Sequence, residues 1–78
     1  MIWLSFCDND KPKGSQFLGA CIVDAHDIIS GTVAAHALGI NPGGDVMGVP
    51  FDLPIPAKYI GVLMDKKMIA ELDAVMKQ

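Results

Sequence analysis

Two polar loops carry the residue types that could bind a small ligand, and the first spans residues 8–16 (DNDKPKGSQ). It places Lys11 and Lys13 on either side of a proline, with Gln16 three residues further on. Lysine ammonium groups can hold phosphate oxygens as point charges, so this loop is the candidate phosphate site. The same residues are also typical of a solvated loop in which aspartates and lysines cancel one another's charge.

The second loop, GINPGGDVMG at 39–48, contains four glycines and a proline. The backbone of Gly43 and Gly44 and the side chains of Asn41 and Asp45 could contact a base or a ribose. A Walker-type phosphate loop leads into a helix and ends in Lys-Ser/Thr, whereas this loop follows a predicted helix and precedes a strand. A helix C-terminus disfavours an anion. A left-handed helix cap, an Asn-Pro turn and a Gly-Gly entry to a strand account for the segment without a ligand.

Aromatic and titratable residues add little further chemistry. If a nucleotide binds, Trp3 or Tyr59 is expected to stack on its base. A hydrolase needs an acid and a base within reach of each other, and only His26 with Asp24 or Asp27 offers that. The sequence lacks a Cys-x-x-Cys motif or a Cys/His cluster for zinc. We therefore predict a protein that is not an enzyme, with no catalytic residue, no metal and no cofactor.

Composition predicts a single domain over residues 1–78 that associates with itself. Hydrophobic residues make up 51% of the chain, and the mean hydropathy is +0.38. A chain this small buries only about 60% of its unfolded surface. The apolar excess therefore predicts a homo-oligomer in which part of the surface is an interface.

Charge and hydropathy limit the other partners. The net charge is −3, and all six basic residues are lysines. The lack of arginine argues against binding of long nucleic acid, because arginine is the usual partner of phosphates and guanine edges. Apolar runs stay below the ~20 residues that span a bilayer, and a basic signal-peptide region is missing. These features predict a cytoplasmic protein that does not bind membranes.

The loops connect elements in the predicted order β-β-α-β-α. Strands are expected at 1–7, 17–23 and 45–51, where apolar and β-branched residues are bounded by turn formers. A helix capped by Asp24 should follow the second strand and end at Gly39. Its predicted buried stripe consists of Ile29, Val33, His36, Ala37 and Ile40.

The C-terminal third should contain the remaining helices. Residues 57–64 are predicted as a short helix after Pro56, and Asp65 as the cap of the last helix. That helix has an apolar face of Met68, Ile69, Leu72, Val75 and Met76. The expected fold is a small α+β domain in which a three-stranded sheet carries its helices on one face. The other face would be uncovered, which again predicts self-association through the sheet or its edge.

Three motifs carry a resemblance to known proteins: W-L-S-F-x-D at 3–8, F-L-G-A at 17–20 and G-I-N-P-G-G-D-V at 39–46. With them the chain resembles a group of small proteins encoded by phages and prophages. The resemblance implies an oligomer in the host cytoplasm that counters host defence. Such a protein would sequester a nucleotide immune signal, as phage sponge proteins do, or would inhibit a host defence protein directly.

Overall fold

The computed structural model describes residues 1–77 and places the strands where the sequence predicts them. The element order β-β-α-β-α is confirmed, and a 3₁₀ turn stands where a short helix was predicted before the last helix. The elements are β1 (Ile2–Cys7), β2 (Phe17–Val23), α1 (Ile28–Ala37), β3 (Asp45–Pro50), the 3₁₀ turn (Ala57–Tyr59) and α2 (Lys66–Met76). The chain is thus a small α+β domain.

Strand β1 lies in the centre of the sheet, in the order β2-β1-β3. It pairs antiparallel with both neighbours, so that Trp3 lies opposite Ile22 on one side and Val49 on the other. Strands β2 and β3 therefore run in the same direction, and α1 carries the chain across β1 from one to the other.

The two helices cover opposite faces of the sheet, which corrects the prediction of one covered face. Ile2, Leu4 and Phe6 alternate to one face and form a core cluster with Ala35 of α1. The intervening Trp3 points to the other face. There the buried residues Ile22, Tyr59, Met64 and Leu72 form a second cluster, against which Trp3 packs. The long connection after β3 brings α2 to this side, so the argument from an uncovered face for self-association no longer holds.

Helix α1 begins later than predicted but ends where expected. Its N-cap is Asp27 rather than Asp24, because the extended Asp27 accepts hydrogen bonds from the Ser30 N–H at 2.7 Å and the Ser30 hydroxyl at 2.9 Å. At the other end Gly39 adopts φ +73° and donates to the His36 carbonyl at 3.0 Å. A left-handed glycine of this kind is a common helix terminator.

The predicted buried stripe of α1 is wrong. Gly31 and Ala35 face the sheet, whereas Ile29 is 79% and Val33 65% exposed. A Cβ atom at Gly31 would lie 3.0 Å from Cγ2 of Ile2. The helix therefore sits too close to the sheet for larger side chains, and its bulky apolar residues point outward.

The segment before α2 closes the outer edge of β2. Only Ala57–Tyr59 forms a helical turn, so the predicted helix over 57–64 is wrong in its second half. The Gly61 N–H donates to the Ile22 carbonyl at 2.8 Å, and Ala20 exchanges two backbone bonds with Met64 at 2.7 and 3.0 Å. These bonds satisfy the outward N–H and C=O of Ala20 and the outward C=O of Ile22.

Helix α2 follows the prediction at its N-cap and at Leu72, whereas Val75 and Met76 of the predicted apolar face are 40% and 38% exposed. Its N-cap is Asp65, which accepts from the Met68 N–H at 2.8 Å. Leu72 is buried against the sheet, and Lys77 pairs with Asp73 at 2.9 Å. Within residues 1–77, neither this helix nor α1 has the length and apolar character needed to cross a bilayer.

Candidate functional site

The two polar loops meet at one end of the sheet. The Asn9 amide of the first loop donates to the Asp45 carboxylate at 2.7 Å. Gly44 passes so close to the end of β1 that a Cβ there would lie 2.5 Å from the Cys7 carbonyl oxygen. The fold therefore brings together seven of the predicted ligand residues: Lys11, Lys13, Gln16, Asn41, Gly43, Gly44 and Asp45.

Hydrogen bonds inside these loops already use several of the predicted ligand groups. The Gln16 amide donates to the Lys11 carbonyl at 3.1 Å, and the Asn41 side-chain oxygen accepts from the Gly43 N–H at 2.9 Å. Gly43 and Gly44 have φ of +87° and +76°, which glycine adopts readily. This geometry fits the interpretation of both segments as structured turns.

The charges at this end of the sheet do not favour a polyanion. Lys11 and Lys13 are exposed, and they share the region with the carboxylates of Asp8, Asp10 and Asp45. The Asp8 carboxylate accepts from the Asp10 N–H at 3.0 Å, which closes a local turn. Three negative charges against two positive ones would weaken the attraction for a phosphate group.

The two aromatic residues predicted to stack on a base lie elsewhere. Tyr59 is only 1% exposed, and the Lys58 ammonium lies 4.9 Å from its ring centroid. The predicted stacking role of Tyr59 therefore does not fit this structure. Trp3 lines a groove beside Leu72 and precedes Cys7 by four residues, which is roughly 13 Å along a strand. Neither ring borders the polar loops.

A cationic pocket that the sequence analysis missed lies beside the glycine-rich loop. It has a volume of about 340 Å³ and is lined by Phe17, Leu18, Asp65, Lys66 and Lys67. Leu18 connects it to the loop, since its Cδ1 would lie 2.9 Å from a Cβ at Gly44. The aromatic ring and the lysines are about fifty residues apart in the chain, so no local motif could have indicated the pocket.

An apolar groove of about 460 Å³ lies between the start of α1 and the end of β3. His26 and Asp27 are its polar lining residues, and the others are Ile2, Ile28, Ile29, Gly48 and Pro50. Ile29 continues onto the outer face of α1, where Val33 lies one turn further along. We call this groove and the side chains of Ile29 and Val33 the α1 surface. The sequence analysis missed it because these residues were expected in the core.

Near the groove, the Asp27 carboxylate caps helix α1 by accepting from Ser30, and the neighbouring His26 charge has a smaller influence on the pKa of that carboxyl. The backbone N–H of Ser30, and after it the Ser30 hydroxyl, hold the pKa of the Asp27 carboxyl below its ordinary value. In residues 1–77 no hydrogen bond joins His26 to Asp24 or Asp27, and no group of three potential metal ligands occurs. The hydrolase hypothesis therefore gains no geometric support.

The cysteines are both free thiols. Cys7 is half-buried at the end of β1, whereas Cys21 is fully buried under α1. Burial raises the pKa of the Cys21 thiol, which makes the reactive thiolate rarer there.

Comparison of the chain with protein-family models, with curated proteins and with solved structures finds no match. Function must therefore be argued from the surfaces described above. Among them, the α1 surface has the most exposed apolar side chains, and the pocket with Lys66 and Lys67 has the most favourable charge for an anion.

Proposed function

We propose that this chain is a non-enzymatic interaction module that binds a protein partner through the α1 surface. The observation that carries the proposal is the inverted packing of α1. Its small residues Gly31 and Ala35 face the core, while Ile29 and Val33 are 79% and 65% exposed. Exposed apolar side chains that lie next to one another commonly mark a site of association.

The spacing of these side chains fits a helix that docks on an apolar partner. Ile29 and Val33 are four residues apart, so they lie on one side of the helix. Two apolar anchors at this spacing are a common feature of helices that bind in a hydrophobic groove. The adjoining groove, with His26 and Asp27 among its lining residues, adds polar groups that can orient the partner.

The resemblance to phage and prophage proteins stays a prediction, and it suggests which partner to seek. In that setting the partner is a host defence protein that the chain inhibits by occupying an apolar surface. The homo-oligomer also stays a prediction.

Site-specific photo-crosslinking in the native host cell tests this proposal. A benzophenone amino acid at position 33 should capture one protein, whereas the same group at the exposed position 70 on α2 should not. The captured protein is then purified, and its affinity is measured for wild type and for the variant Ile29→Ser/Val33→Ser. Loss of two central apolar anchors should weaken binding at least roughly a hundredfold.

The matched control is Ala70→Ser/Ala74→Ser, which changes two exposed positions on α2. Its affinity for the captured protein should equal that of wild type. Circular dichroism should show that both double variants remain folded. Equal affinity of the α1 variant and wild type, or equal capture from positions 33 and 70, would remove the α1 surface from the function.

A second function, sequestration of a small nucleotide-type ligand, is favoured by the pocket at the start of α2. Lys66 and Lys67 can hold phosphate oxygens there, and Phe17 offers a ring for a base. One limit on this site is Asp65, whose carboxylate already occupies the helix N-terminus through the Met68 N–H. We therefore expect lysine side chains, rather than the helix end, to contact an anion.

Native mass spectrometry with cyclic and linear nucleotides tests the second function. A bound nucleotide should add a defined mass per subunit or per pair of subunits. Lys66→Ala/Lys67→Ala should abolish the added mass, while Lys11→Ala/Lys13→Ala should leave it unchanged, because the pocket does not include the loop lysines. Protein that stays bare across the panel would exclude these ligands and leave protein binding as the function.

A further inference from the structure

Strand β3 is an edge strand, and no other segment of residues 1–77 pairs with its outer side. The phase of the ladder shows which backbone groups point outward. The Phe51 N–H donates to the Met1 carbonyl at 3.1 Å, and bonded pairs recur every second residue in antiparallel strands. Asp45, Met47 and Val49 therefore bond to β1. Val46 and Gly48 direct their N–H and C=O groups to the outside, together with the carbonyl of Pro50.

The other edge of the sheet shows that this chain can cover such groups. Three outward groups of β2, on Ala20 and Ile22, are bonded by Gly61 and Met64 at 2.7 to 3.0 Å. Within the described part of the chain, no segment does the same for β3. Exposed edges are usually protected by lysine, proline or a bulge. Between Val46 and Val49 this edge has neither a charge nor a proline.

Apolar side chains lie next to the open edge. On the face of the sheet that carries α2, Met47 is 72% and Val49 61% exposed. The accessible surface is 5087 Å², whereas a compact monomer of this mass is expected to expose about 4,600 Å². The excess accessible surface is on the order of 500 Å². In a small interface each partner buries less than about 600 Å², so the two areas are similar.

We propose that a second copy of this chain pairs with β3 through this edge, antiparallel and about a two-fold axis. The pairing would join two sheets into one continuous sheet. An identical edge is complementary to itself in this arrangement, because each strand supplies the donors and acceptors that the other needs. This inference does not depend on the proposed function, since it is argued from the backbone groups of β3 and not from Ile29 or Val33.

Pro50 selects the register of the pair. With the axis at Met47, Val46 and Gly48 lie opposite Gly48 and Val46 of the second copy, and all their outward groups are bonded. With the axis at Gly48, Val46 would lie opposite a proline of the second copy, which has no N–H to donate to the Val46 carbonyl. With the axis at Val46, Gly48 would lie opposite Gly44 of the second copy, which precedes the strand and has φ +76°. We therefore assign the axis to Met47. The two copies of Met47 then form a non-bonded pair with Cα atoms about 4.5 Å apart.

Cysteine crosslinking tests both the edge and the register. A disulfide requires Cα atoms roughly 4.4–6.8 Å apart, so Met47→Cys should form a covalent dimer rapidly under mild oxidation. The matched control is Val49→Cys, which is similarly exposed. In the assigned register its two copies are separated by four residues along the strand, at least roughly 13 Å. Wild type, which retains Cys7 and Cys21, sets the background.

Sedimentation equilibrium from micromolar to millimolar protein gives the second measurement. Wild type should form a reversible dimer, and Met47→Lys should raise its dissociation constant at least roughly tenfold, since like charges would lie directly opposite each other. Leu53→Lys, at an exposed position outside β3, should leave the constant unchanged. A wild-type monomer at every concentration overturns the proposal. So does a dimer that Met47→Lys does not weaken and Met47→Cys does not trap.

Discussion

The two helices begin in the same way and pack in opposite ways. Each starts at an aspartate whose carboxylate accepts from the N–H three residues on, Asp27 from Ser30 and Asp65 from Met68. Helix α2 then buries Leu72 and exposes its charged residues. Helix α1 instead buries a glycine and an alanine and exposes Ile29 and Val33.

Distance from the sheet explains this difference. At Gly31 an added Cβ would lie 3.0 Å from Ile2 and 3.3 Å from Leu4, so α1 approaches the sheet more closely than a large side chain allows. A helix at this distance contributes backbone and small side chains to the core. Its large apolar residues are then available for a partner. For this reason, hydropathy alone assigns the buried face of α1 to the side that is exposed.

The largest effect should come from comparing the apolar anchors of the two helices. We expect Leu72→Ala to lower the free energy of unfolding by about 2–5 kcal/mol, because it removes a buried side chain and leaves a cavity. Val33→Ala should change it by less than about 0.5 kcal/mol, as at other exposed sites. Urea denaturation measures both values. Similar losses in the two variants would mean that Val33 is buried.

A smaller effect on the free energy of unfolding should follow from enlarging Gly31, the residue of α1 that lies against the sheet. Gly31→Leu should lower the free energy of unfolding by about 1–3 kcal/mol, because the side chain has to displace Ile2 or Leu4. The matched variant Ala70→Leu places the same side chain on the exposed side of α2 and should have little effect. Thermal denaturation compares the two variants. A stable Gly31→Leu protein would show that the helix can move away from the sheet at little cost.

The smallest effect should appear at the cap of α1 in acid. Because hydrogen bonds from Ser30 lower the pKa of Asp27 in the folded protein, the carboxylate contributes stability above its ordinary pKa. That contribution is lost as the pH falls through the lowered pKa. Asp27→Asn should keep the cap without titrating, so its Tm should fall less steeply on acidification than that of wild type.

Asp27→Ala is the companion variant for this comparison. It removes the cap altogether and should lower the Tm by a few degrees at neutral pH. Circular dichroism melts of the three proteins between neutral and acid pH provide the measurement. Identical pH dependence of wild type and Asp27→Asn would show that the cap makes no titrating contribution.

Local signals predicted the elements well, and they failed where two elements had to be placed against each other. The three strands, the Gly39 terminus and the Asp65 cap follow from turn formers and capping chemistry within a few residues. The Asp24 cap was wrong by three positions, since two aspartates compete as caps. The cationic pocket beside Phe17 was missed because its lysines come from the far end of the chain.

The sequence by itself determined where the strands and helices lie and which loops are polar. Those properties depend on backbone conformation and hydrogen bonds between near neighbours. Only the tertiary structure decided which face of α1 is buried, that α2 covers the opposite side of the sheet, and that β2 is closed while β3 is open. These outcomes depend on distances between elements remote in sequence, and on the small size of Gly31 at their closest contact.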